Sequence, residues 1–196
     1  MLILASASPR RRELLTHAGF SFEVHPADIP EDPLAGEDPI AYVTRLARQK
    51  AEVVFNKLSG EGGTHSGLHA LAVLGADTSV TLDGQILGKP ADAADAVRML
   101  RLLAGQSHRV ITGVALATAQ GIEVAAEVTG VRFLTLSQQE IEAYVATGEP
   151  MDKAGAYAIQ GRASRWIPRI EGCYFNVVGL PLALVSALLE GRGGAR

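Results

Sequence analysis

The opening run MLILASASPRRRELLTHAG constrains the fold more than any other part of the chain. Residues 2–5 (LILA) suit a short buried strand. Ser8 then offers a hydroxyl N-cap, and Pro9 has the fixed φ that suits a first helical position. Leu14, Leu15 and Ala18 give the following helix a buried face, and Gly19 is placed to stop it. A strand that passes at once into a helix belongs to α/β architecture, in which helices cover a sheet.

The rest of the chain extends that pattern and then changes it. Phe20, Phe22 and Val24 alternate with polar neighbours and predict a second strand. Residues 29–37 are rich in proline and acid and read as a loop. Asp38-Pro39 opens the longest helix, with Ile40, Val43, Leu46 and Val54 along one side. Residues 59–69 (SGEGGTHSGLH) read as a flexible loop. Residues 71–82 are β-rich, and Asp83-Gly84 is the strongest hairpin signal in the chain. Asp92 caps a helix to about Leu103, ended by Gly105. Strands over 110–118 and 124–136 meet at a Gln120-Gly121 turn. Ser137 and Glu140 form a capping box for a helix through Tyr144. A loop-rich stretch with Trp166 and Ile170 precedes a last apolar helix from about Pro181. Helices alternate with strands early and hairpins dominate the middle, so the expected fold is α/β with a mixed twisted sheet and flanking helices. Residues 1–190 are expected to form one domain, with 191–196 (GRGGAR) a disordered tail.

Charge narrows the partners. The formal net charge of −3 gives no electrostatic case for DNA or RNA. A phosphate site would need a few positioned cations rather than the overall field. Cys173 is the single cysteine, which leaves no intramolecular disulfide and favours a reducing compartment. The N-terminal apolar run precedes the arginines, the reverse of a secretory signal, and no stretch approaches the roughly 20 apolar residues of a membrane span. The expectation is a cytoplasmic protein without nucleic-acid or membrane partners.

Several residues could carry chemistry. Ser8, Arg10, Arg11 and Arg12 stand at a helix N-terminus, where unpaired N–H groups favour anions and disfavour cations. The arginines there either gather a phosphate or point outward into solvent, and residue type alone leaves both open. Asp77 and Thr78 follow the run LAVLGA, so Asp77 is expected where a buried strand leaves the sheet. A carboxylate there suits a divalent cation or an attacking water, though residue type alone favours a plain strand terminator or turn cap. Gly88-Lys89-Pro90 fails as a P-loop: Asp83 stands where glycine is required, and Pro90 where Ser or Thr is required. Lys89 remains available as a point charge for a phosphate. Glu37 and Lys50 are a candidate metal ligand and phosphate contact, or two exposed charges. The Gln160 amide has the donor and acceptor to read O4 and N3–H of a pyrimidine, or is a surface residue. His65 and His69 have zinc spacing in a glycine-rich context that argues against a rigid site. Ser8, Ser79 and Ser107 lack a nucleophile-elbow context, and Cys173 reads as a packed thiol.

The segments LASASPRRRELL, RLARQKA, LGADTSV, ILGKP, MLRLLAGQSHRVITGVAL, LSQQEIEAYVATGEPMDKAGAYAIQG and NVVGLPL occur in one order over nearly the whole chain. In that order they resemble the Maf family of nucleotide pyrophosphatases. The resemblance implies an elongated α/β fold similar to the inosine triphosphate pyrophosphatases, with two lobes around a central cleft. It implies cleavage between the α- and β-phosphates of a nucleoside triphosphate with a divalent cation, Mg²⁺ or Mn²⁺, and a homodimer. Asp77 falls on the family's proton acceptor, with Asp77 and Glu37 the implied metal ligands. Ser8, Arg11, Lys50 and Lys89 fall around the triphosphate, which resolves the arginines towards phosphate. Arg10, Thr78 and Gln160 match the branch that prefers dTTP and UTP. The branch that prefers 7-methyl-GTP typically has an aromatic, Gln and Glu there. A nucleotide-binding regulator of cell division is the non-enzymatic alternative. Two departures stand out: the 59–69 loop is longer than usual, and Cys173 replaces a residue more often Ser or Asp.

Overall fold

Local signals and sheet pairing together set the architecture. The computed structural model describes residues 1–60 and 71–191. Strand β1 (Leu2–Leu4) leads into helix α1 (Pro9–His17), then β2 (Phe22–Val24) and the 22-residue helix α2 (Pro39–Gly60). The hairpin β3 (Ala72–Leu82) and β4 (Gln85–Leu87) follows, then α3 (Ala93–Leu103) and the long strands β5 (Ser107–Thr118) and β6 (Gly121–Arg132). Helix α4 (Gln138–Val145), three short 3-10 turns, strand β7 (Arg169–Glu171), α5 (Tyr174–Val178) and α6 (Leu182–Leu189) complete the order.

Among the described residues the sheet has seven strands in the order β2-β1-β3-β5-β6-β7, with β4 pairing β3 beyond β1. β1 runs parallel to β2 and β3, and the other pairs are antiparallel, so the sheet is mixed as expected.

The predicted caps form. Ser8 Oγ accepts from the Arg11 N–H, Asp92 Oδ1 accepts from the Asp95 N–H, and Ser137 with Glu140 closes a capping box. Asp38 Oδ1 accepts from the N–H groups of Ile40 and Ala41 at the start of α2. Asp83 at φ 49 and Gly84 at φ 82 make the hairpin turn, both in the left-handed region that a type I′ turn requires.

Some boundaries differ from expectation. β5 begins at Ser107 rather than 110 and β6 at Gly121 rather than 124, because cross-strand register continues past the apolar runs. β6 ends at Arg132 rather than 136, where its pairing with Ser107 and Arg169 stops. β7 and α5 lie in the stretch expected to be loop-rich. Ser59 and Gly60 finish α2 rather than opening a loop. The rest of that loop, His65 and His69 included, lies outside the described residues, as does the tail from 192 onward.

Among the described residues three apolar clusters hold the layers together. On one sheet face, Ile3, Val73, Ala115 and Ala117 pack with Ala47, Ala51 and Val54 of α2. On the other face, Leu74, Ala76, Val114 and Leu116 pack with Leu14 and Leu15 of α1 and Val185 and Leu188 of α6. Further along that second face, Val80 and Val110 join Leu100, Leu103, Tyr144 and Trp166 in a cluster around α3 and α4. The two lobes are therefore successive clusters along one face of the same long strands. Between them sit Thr78 and Thr112, whose hydroxyls lie 2.9 Å apart. Side chains alternate along a strand, so a polar pair in the even register interrupts the apolar floor and marks the cleft.

Candidate active site

The site begins with a length mismatch. β1 pairs with β3 only as far as Leu4 opposite Leu74, and β4 takes up the same β3 edge only from Val80. Residues 75–79 are left without a strand on that edge. Asp77 is therefore mid-strand, paired with Gly113 of β5, rather than at a strand end as its sequence context suggested. The open edge arises because β3 outruns its parallel neighbour. It lies beyond the carboxyl end of β1, where α/β sheets gather ligands.

A cavity of about 630 Å³ lies on this uncovered edge, within the range of small-ligand sites. Ser8, Arg10, Arg11, Lys50, Asp77, Thr78, Lys89 and Gln160 all line it. They come from α1, α2, β3, the segment after β4 and the turn before residue 161, and so from both lobes.

At the centre, Lys50 Nζ lies 2.7 Å from Asp77 Oδ1 and 2.6 Å from Glu31 Oε1. Asp77 and Lys50 are buried. Burial pushes the Asp77 carboxyl up, and the charges of Lys50 and Arg11 only partly oppose it, so its net shift is upward. Asp77 Oδ2 has no hydrogen bond among the described residues. For Glu31, burial is outweighed by the hydrogen bond to Lys50 and by the charges of Lys50, Lys89 and Arg11, and its carboxyl moves down.

The arginines divide. Arg11 is buried and stitches the cleft together: Nε donates to Gly179 O at 2.8 Å, Nη1 to Ser6 Oγ and Ala76 O, and Nη2 to Thr78 Oγ1 at 2.9 Å. Four of its five N–H groups are thereby engaged, leaving one on Nη2 for a ligand. Arg10 spans the cleft mouth, its Nη1 3.0 Å from Asp152 Oδ2. Arg12 is exposed and does not line the cavity. Lys89 and Gln160 are exposed at the cavity wall and have no hydrogen bond or ion pair among the described residues. Both are free to meet a ligand.

Glu37 is not brought to this centre. Its Oε1 lies 2.6 Å from Arg45 Nε and its Oε2 2.7 Å from Arg45 Nη2, while Oε2 also accepts from the Leu34 N–H. The Arg45 hydrogen bond chiefly holds its carboxyl down, to about 2. Glu31, six residues earlier in the same acidic loop, supplies the carboxylate that lines the cavity. The loop holds Asp28, Glu31, Asp32 and Glu37, and spacing alone did not choose among them. A usable signal was Arg45, two turns into α2, where it could pair with an acid just ahead of the helix. Tyr42, Asp152 and Tyr157 also line the cavity and were not expected there.

Among the described residues no three His, Cys, Asp or Glu side chains gather as a closed metal cage. Asp77 and Glu31 instead offer two carboxylates that meet at Lys50 Nζ. Hard divalent cations commonly bind one or two carboxylates and complete their shell with water and substrate phosphate oxygens, so the donor set fits such an ion.

The family model described as Maf-like protein matches residues 1–192. The chain belongs to the Maf family. A dTTP/UTP pyrophosphatase of Koribacter versatilis is 52% identical over 192 residues, covering 98% of this chain and 94% of the relative. One of Geobacter metallireducens is 53% identical over 194 residues, covering 98% and 96%. A solved structure of the Staphylococcus aureus Ham1 protein covers 97% of this chain and 98% of its own, with TM-score 0.51 and 14% identity. That likeness is one of fold. Maf membership agrees with the mixed sheet, the two lobes and the cleft between them. Among the described residues no helix is long and apolar enough to cross a membrane.

Proposed function

We propose that this Maf-family protein hydrolyses dTTP and UTP to the nucleoside monophosphate and pyrophosphate. The observation that carries the reading is the shared cavity. It combines a buried carboxylate, Asp77, with cations from both lobes and the unpartnered Gln160 amide. Its weight comes from a sequence about half identical to dTTP/UTP pyrophosphatases over nearly full length.

In this reading the triphosphate extends along the open β3 edge with its phosphates towards Lys50, Lys89 and the start of α1. Ser8 and the free Nη2 N–H of Arg11 bind phosphate oxygens. Asp77 Oδ2 accepts a proton from the attacking water, whose oxygen bonds to the α-phosphorus as the bridge to the β-phosphate breaks. Pyrophosphate departs with that electron pair, and Lys89 and Arg11 offset its growing charge. Lys50 fixes Asp77 in place throughout. Asp77 and Glu31 would hold a divalent cation, Mg²⁺ or Mn²⁺, which would neutralise part of the triphosphate charge.

Gln160 reads the pyrimidine edge, donating to O4 and accepting from N3–H. Arg10 and Thr78 shape the space around the base. Nucleotides of the cytoplasm are the substrates, and the enzyme is a homodimer whose mass sedimentation equilibrium would report.

The test is pyrophosphate release from a panel of nucleoside triphosphates with and without Mg²⁺. Metal-dependent release with dTTP and UTP ahead supports the reading. Preference for 7-methyl-GTP would move the chain to the other branch, and binding without release would make it a nucleotide-responsive regulator.

A further inference from the structure

We infer that Glu37 and Arg45 form a positioning clamp that fixes Glu31 at the site, so that Glu37 acts through Glu31 rather than by touching metal or substrate. The inference rests on the reading of Glu31 as a carboxylate of the working site.

The segment between β2 and α2 has no strand or helix of its own, yet it carries Ala27, Glu31 and Pro33 onto the cavity. A loop without a ladder has no intrinsic means of holding a carboxylate at 2.6 Å from Lys50 Nζ. The tethers come from α2. The Tyr42 hydroxyl donates to the carbonyl of Glu31 itself at 2.9 Å, and Arg45 Nη2 donates to the next carbonyl, Asp32 O, at 3.2 Å. The same guanidinium takes both oxygens of Glu37 and lies 5.7 Å from the Tyr42 ring centre. Glu37 Oε2 returns to the loop through the Leu34 N–H at 3.0 Å.

Tyr42 and Arg45, on one short stretch of one helix, thus grip the loop at residues 31, 32 and 37, and Glu37 in turn ties residue 34. Lys50 lies on that helix five residues after Arg45, so the clamp and the cation that Glu31 meets move as one body. The Glu37 side chain is only 8% exposed and its pair with Arg45 is bidentate, unlike a loose surface ion pair.

The experiment is a double-mutant cycle on the full chain. Glu31→Gln, Arg45→Met and Glu37→Gln are made singly, and the last two are repeated in the Glu31→Gln background. Turnover of dTTP, the Mg²⁺ concentration for half-maximal rate, melting temperature and hydrogen exchange at the Leu34 amide are measured. Arg45→Met and Glu37→Gln should each lower kcat about tenfold or more and raise the Mg²⁺ midpoint, with KM for dTTP changed less than about twofold. Exchange at Leu34 should accelerate. In the Glu31→Gln background neither change should cost further activity, and Arg45→Lys should restore part of the loss. Should Arg45→Met fail to fold, Glu37→Gln and Arg45→Lys complete the cycle. Near-wild-type kcat in the clamp variants, or losses that add fully to that of Glu31→Gln, would overturn the clamp. Near-wild-type behaviour of Glu31→Gln itself would instead remove Glu31 from the site, and the clamp's catalytic purpose with it.

Discussion

The Asp77 carboxylate is held not by its own strand but by Lys50 of α2, whose Nζ lies 2.7 Å from Oδ1. Two glycines allow that reach. A Cβ on Gly75 would stand 2.1 Å from Ala47 O, and one on Gly113 2.3 Å from Val43 O, so α2 lies against bare backbone of β3 and β5. Asp77 follows Gly75 by two residues on the same strand face, and Lys50 follows Ala47 by three on the same helix side. The sheet and helix repeats therefore come into step at the ion pair.

Gly75→Ala should disturb both fold and function. Its methyl would meet backbone, which cannot rotate away, so α2 must shift, at a cost of about 1–3 kcal/mol. Urea denaturation should report that loss. The kcat on dTTP should fall by more than the unfolded fraction explains, because Lys50 moves with the helix.

Lys50→Met should leave Asp77 buried without its cation and reduce turnover by about a hundredfold or more. Lys50→Arg should not restore it, because a planar guanidinium cannot take the place of a compact ammonium between Asp77 and Glu31. Steady-state kinetics on both variants, with melting curves as a folding control, provide the check.

His108 predicts acid sensitivity of the fold. Its Nε2 lies 2.8 Å from Tyr157 Oη, and burial lowers its pKa to about 4. The unfolded chain therefore binds this proton near the ordinary value of about 6.5, and the folded one only near 4. The stabilising contribution is fully present above pH 6.5 and is lost as pH falls towards 4, about 3 kcal/mol over that window. In His108→Gln the fall in melting temperature across that window should be smaller than in the wild type.

Gln160→Glu should weaken dTTP and UTP cleavage, because a carboxylate cannot donate to the pyrimidine O4. Competition between UTP and 7-methyl-GTP measures it. An unchanged ratio would remove Gln160 from base selection.

What the sequence made legible was local chemistry. Ser8 with Pro9, Asp83 with Gly84, and Ser137 with Glu140 each act within a few residues, and each forms as read. The relations that complete the site are long-range. That Asp77 lies mid-strand on an open edge depends on where β1 stops and β4 begins. That Glu31 rather than Glu37 reaches Lys50 depends on Arg45, which claims Glu37 first. β7 and α5, at three and five residues, are too short for periodicity to announce.

In the proposed reaction Asp77 is the residue that drives hydrolysis. Asp77→Asn keeps the shape and leaves Lys50 paired with Glu31, so the fold should survive and the variant should still bind dTTP. The decisive measurement is its single-turnover rate of pyrophosphate release with Mg²⁺ at saturating enzyme. The rate should fall by about 10²–10⁴ at an unchanged melting temperature. A rate near that of the wild type would contradict it.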